Sequence, residues 1–64
     1  MINVALLGFG RIGQMHAQNI YHNKTLNLLY VYEKIDKLRK KAKNLYNCKI
    51  ERNYKKIFSD KRVD

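Results

Sequence analysis

Ile2-Asn3-Val4-Ala5-Leu6-Leu7-Gly8-Phe9-Gly10-Arg11-Ile12-Gly13 is the stretch whose reading decides the fold. Val4 to Leu7 are consecutive apolar residues rather than an alternation. That pattern suits a strand covered on both faces, as in a parallel sheet, and a strand is predicted over Ile2 to Leu7. Glycines spaced Gly-x-Gly-x-x-Gly then break it. From Arg11 to about Tyr21 the pattern turns helical: Ile12, His16 and Ile20 lie four apart, with Gly13 and Ala17 beside them. Together they predict one small, apolar face that lies close to the sheet.

Outward from this stretch the alternation continues. His22 to Thr25 is a polar turn. Leu26 to Tyr32 reads as a second, nearly all-apolar strand, and Glu33 stands at its end. Ile35 to Tyr46 reads as a second helix, with Ile35, Leu38, Ala42 and Leu45 on one side and lysines and Arg39 on the other. Cys48 to Glu51 is predicted as a short third strand. Asn53 is placed to cap a last helix through Phe58, anchored by Tyr54, Ile57 and Phe58. Ser59 to Asp64 reads as a polar tail. The order β-α-β-α-β-α implies a parallel sheet with right-handed crossovers, the first half of a Rossmann dinucleotide-binding domain.

The glycines have separate expected tasks. Gly8 ends the strand in a turn that a Cβ would obstruct. Gly10 lets backbone approach a pyrophosphate, and Gly13 lets the helix pack closely. The amides near Arg11 and Ile12 lack helical partners, so they and the helix dipole attract an anion. These contacts come from backbone, so the identities of Phe9, Arg11 and Ile12 are expected to matter less than their geometry. Glu33 lies twenty residues after Gly13, where a carboxylate accepts hydrogen bonds from an adenosine ribose and repels a 2′-phosphate. That favours NAD over NADP, with Lys34 and Lys37 partly offsetting the repulsion. The expected cofactor-binding set is therefore Gly8, Phe9, Gly10, Arg11, Ile12, Gly13 and Glu33.

Composition sets the bounds. Sixty-four residues allow one small domain, and a chain of that size buries only about 60% of its unfolded surface. One cysteine, Cys48, excludes an internal disulfide and points to a reducing, cytoplasmic setting. No basic residue precedes the first apolar run, so no signal peptide is read, and no stretch is long enough to span a membrane. Fourteen Lys and Arg against five acids give a net charge of +9. A polyanion partner is one explanation; a solvated helix surface is the favoured one, because the cations cluster after Glu33.

The run Gly8-Phe9-Gly10-Arg11-Ile12-Gly13-Gln14-Met15-His16-Ala17-Gln18-Asn19-Ile20 resembles the opening of the Gfo/Idh/MocA oxidoreductases, and is especially similar to the myo-inositol 2-dehydrogenases among them. The likeness continues through Tyr30 to Glu33 and reaches Asn53-Tyr54 and Ser59 to Asp64, which resemble the stretch before a fourth strand. The resemblance implies an NAD(P)-dependent, two-domain enzyme several times longer. It passes hydride between a sugar or cyclitol hydroxyl and a nicotinamide, using a Glu-Lys-Pro lysine and a downstream Asp/His pair. Those positions have no counterpart in these residues, so no catalytic residue is assigned. The chain is expected to be the N-terminal part of the nucleotide domain, inactive and poorly stable alone, with Val4 to Leu7 as an open apolar edge. A homo-oligomer is expected of the whole enzyme.

Other residues receive plainer readings. His16 is expected to be packed and hydrogen-bonded against the sheet rather than a base, and His22 to sit by the last helical carbonyls. Cys48 reads as a structural thiol. Tyr30 and Tyr32 lie in a strand, away from the cations of Lys34 to Lys43, which weakens a nucleic-acid reading; Tyr21, Tyr46 and Tyr54 keep it open. Two alternatives thus stand beside the oxidoreductase: a small non-catalytic nucleotide-binding module and a basic nucleic-acid-binding protein.

Overall fold

The apolar runs form strands β1 (Ile2–Leu7), β2 (Leu26–Tyr32) and β3 (Lys49–Glu51), and the segments between and after them form helices α1 (Arg11–Tyr21), α2 (Asp36–Tyr46) and α3 (Tyr54–Phe58). These come from a computed structural model that describes all residues, Met1 to Asp64. All strand pairs are parallel, in the order β1-β2-β3. This is the α/β arrangement of the first half of a Rossmann domain.

Two element boundaries move by a residue. Ile35 is not helical but an extended N-cap with ψ 118°, because the Glu33 carboxylate takes its amide at 3.0 Å. Cys48 precedes β3, following Asn47 in the left-handed region at φ 51°. Asn53 caps α3 as expected, its side chain accepting from the Lys55 amide at 3.0 Å.

The register between β1 and β2 slips at Val4/Ala5, leaving Leu29 unpaired in β2. The slip puts Leu28 and Val31, three residues apart, in one core with Phe9, Ala17, Ala42 and Cys48, between the sheet and helices α1 and α2. The other face carries Tyr32, whose ring meets Tyr54 of α3 edge-on at 6.1 Å.

Helix α1 is rotated relative to expectation. Its inward seam is Gly13, Ala17 and Ile20, while Ile12 is 64% exposed and His16 is exposed and unpacked. Residues four apart drift about 40° around a helix, so two stripes sharing Ile20 compete. The seam without bulk wins because only Gly13 and Ala17 allow the close approach.

The last residues are not a loose tail. The Asn3 amide donates to Asp64 Oδ2 at 2.7 Å, the Asp64 amide to the Asn3 carbonyl at 3.0 Å, and Asn3 Nδ2 to the Arg62 carbonyl at 2.9 Å. Tyr30 donates its hydroxyl to Asp60 Oδ2 at 2.7 Å. The outer edge of β1 is thereby covered at Asn3. The Ile2 and Gly8 amides bond toward β2, to Thr25 and Tyr32 at 2.9 and 2.8 Å. Alternation then turns those of Ala5 and Leu7 outward.

Candidate functional site

The glycine turn and the end of β2 meet at the carboxyl edge of the sheet. Gly8 has φ +103°, a conformation that L side chains avoid, and this turns the next peptide inward. The Phe9 ring is fully buried, edge-on to Tyr46 at 6.3 Å. The Phe9 side chain thus has a packing role beside the backbone geometry, which was expected to matter more than its identity. No periodic signal marks it, since it lies in a turn. Its ring enters the core because Gly8 permits the reversal.

Both ends of the Phe9 peptide unit are held. Its amide donates to Glu33 Oε1 at 2.8 Å. Its carbonyl accepts from Gln14 Nε2 at 3.1 Å, and Gln14 Oε1 accepts from Lys41 Nζ at 2.9 Å.

Gly10 is the N-cap of α1 and brings no capping side chain. The Gln14 amide makes the first helical bond, to the Gly10 carbonyl at 2.8 Å. The amides of Arg11, Ile12 and Gly13 precede it and have no helical carbonyl to meet. The first turn holds no acid of its own to offset the positive end of the helix dipole. A Cβ on Gly10 would meet nothing within 4 Å: the space beside Gly10 is open. A Cβ on Gly13 would strike the Gly8 carbonyl oxygen and lie 2.8 Å from its carbon. Arg11 and Ile12 point their side chains to solvent.

Glu33 is half-buried at the end of β2. Its pKa is held below the ordinary carboxylate value, first by the Phe9 amide and then by the Ile35 amide, with the Arg39 charge adding to them. Each carboxylate oxygen has one backbone donor, which leaves lone pairs for further donors.

Arg39 was not expected here. It reads as part of a solvated face, yet its side chain is only 13% exposed. Its Nη1 donates to the carbonyls of Glu33 and Lys34, both at 2.8 Å, and Nη2 to Asp36 Oδ1 at 3.0 Å. The available signal was the Asp36-to-Arg39 spacing on one helix turn. Lys40 meets the other oxygen of Asp36 at 3.0 Å.

The remaining candidates stand apart from this site. Cys48 is buried, with Sγ 3.8 Å from the Ala42 carbonyl, and burial pushes its thiol pKa up, as suits a structural thiol. His22 is the C-cap of α1. No group of three His, Cys, Asp or Glu is arranged to hold a metal ion. No helix is long and apolar enough to cross a membrane. Of the rings, Tyr21 and Tyr54 are exposed and Tyr46 is half-buried.

No protein-family model matches the sequence, and no curated protein does. Solved structures do match. A proposed myo-inositol dehydrogenase from Sinorhizobium meliloti 1021 superposes with TM-score 0.93 at 26% identity, over 100% of this chain and 19% of that one. A myo-inositol dehydrogenase from Corynebacterium glutamicum ATCC 13032 gives 0.90 at 25% identity, over 100% and 19%. A proposed NADPH-dependent oxidoreductase from Desulfitobacterium hafniense DCB-2 gives 0.87 at 24% identity, over 97% and 18%, a likeness of fold. The chain thus spans about a fifth of the length of the structures it resembles.

Proposed function

We propose that residues 1–64 are the opening part of a nicotinamide-dinucleotide-binding domain. The turn Gly8 to Gly13 holds the pyrophosphate, and Glu33 holds the adenosine ribose. The carrying observation is the joining of the turn to the acid: the Phe9 amide donates to Glu33 at 2.8 Å. The donor set also fits the ligand. The amides of Arg11, Ile12 and Gly13 are free of helical bonds and open space lies before Gly10, which suits a diphosphate that accepts from backbone. Glu33 is ionised at neutral pH and keeps lone pairs for ribose hydroxyls. Its charge opposes a 2′-phosphate, so NAD is the preferred cofactor over NADP.

The likeness to inositol dehydrogenases supports an oxidoreductase acting on a sugar or cyclitol hydroxyl. The bound nicotinamide supplies a hydride acceptor or donor for that chemistry. The part of residues 1–64 is to bind and orient, and none of them is assigned to proton transfer. Titration of ¹⁵N-labelled chain with NAD⁺ tests this reading. Amide shifts concentrated at Gly10 to Gly13 and at Glu33 are expected; shifts centred on the lysines of α2 and α3, or none, would overturn it.

A further inference from the structure

We propose that Asp36 sets the cofactor choice of this site, for a ribose 2′-hydroxyl and against a 2′-phosphate, by holding Arg39 and Lys40 to itself. The proposal rests on the dinucleotide reading above. A phosphate on the ribose would arrive beside Glu33 and need cations to balance it. Four cations follow Glu33 closely: Lys34, Lys37, Arg39 and Lys40. Asp36 engages two of them, one with each carboxylate oxygen: Arg39 Nη2 at 3.0 Å and Lys40 Nζ at 3.0 Å. Arg39 Nη1 is spent on the Glu33 and Lys34 carbonyls. Nη1 thus braces the turn, while Nη2 is engaged by Asp36. Asp36 itself is 64% exposed, so it adds a second negative charge to the turn that carries Glu33.

Removing the Asp36 charge has two consequences with one sign. The turn loses an anion, and both Arg39 Nη2 and Lys40 Nζ become free to meet a phosphate. A purely structural role, as the acid in the first turn of α2, would instead weaken both dinucleotides alike or only lower stability.

Calorimetric affinities for NAD⁺ and NADP⁺ test the proposal on the 64-residue chain and on Asp36→Asn and Asp36→Ala. The unmodified chain is expected to prefer NAD⁺. In the variants the NADP⁺-to-NAD⁺ affinity ratio is expected to rise roughly fivefold or more, and to rise less in high salt, since exposed charges are screened. The probes 2′,5′-ADP and 5′-AMP, which lack nicotinamide, are expected to show the same change. Retained NAD⁺ binding with an unchanged ratio in both variants would overturn the proposal alone. Failure of the unmodified chain to bind either dinucleotide would overturn the dinucleotide reading, and this proposal with it.

Discussion

The two sides of β1 show opposite constructions. Past its carboxyl end, Gly8 bonds Tyr32 and Phe9 is tied to Glu33, Gln14 and, through Gln14, Lys41. Along its outer edge, Leu7 is 53% and Phe58 of α3 68% exposed. They line a groove of about 260 Å³ together with Val63 and Asp64. The first region has both ends of the Phe9 peptide unit hydrogen-bonded within the chain. The second leaves apolar surface and strand-edge groups open, which favours association. A small fold can thus tie down one end of a strand while another border of the same strand keeps apolar side chains exposed.

The largest expected effect comes from Phe9→Ala, which removes the buried ring that joins the turn to the core. It should cost about 3–5 kcal/mol, a large share of what a domain this small possesses. Urea denaturation would show the transition shifted to much lower denaturant or lost. A midpoint like that of the unmodified chain would mean that the turn is anchored by its polar bonds alone.

Glu33→Gln should cost less, about 1–3 kcal/mol, because its amide nitrogen must face a backbone N–H where a carboxylate oxygen accepted one. The pH dependence has a definite sign. The folded Glu33 pKa is lowered from its ordinary 4.5, so its contribution is complete above that value and is lost as pH falls through the lowered one. The stability gap between the two proteins, followed by thermal melts, should be steady at neutral pH and shrink below about pH 4.5. A gap that widens with acid would contradict the bonding described for Glu33.

Much of the fold was legible in the sequence. Apolar runs such as Val4 to Leu7, and the breaks at Gly8 and His22, mark elements by strictly local chemistry, and the strands and helices lie within a residue of where that chemistry places them. What was hidden depends on contacts between elements, which a local pattern does not report. The rotation of α1 is decided by Gly13 against the Gly8 carbonyl. The docking of Asp64 on Asn3 spans 61 positions, and hydropathy reads those residues only as polar. For the site, the glycine spacing and Glu33 were visible. The bond between Phe9 and Glu33 was not, since it requires β1 and β2 already paired side by side; the bracing by Arg39 was signalled only by its spacing from Asp36.

Phe58→Lys should have the smallest effect on stability, within about 0.5 kcal/mol, since the ring is largely in water. It should reduce self-association, measured by sedimentation at increasing concentration. Association unchanged by the lysine would show that the outer edge of β1 is not the adhesive side.

The most direct test of the central claim, that the glycine turn is a dinucleotide site, is NAD⁺ calorimetry on Gly10→Val alongside a thermal melt. A Cβ at this position meets open space, and the φ of Gly10, −73°, is one that any residue adopts. The fold should therefore survive, while the valine side chain fills the place of the pyrophosphate and abolishes binding. A folded Gly10→Val chain that binds NAD⁺ with the affinity of the unmodified protein would contradict the account.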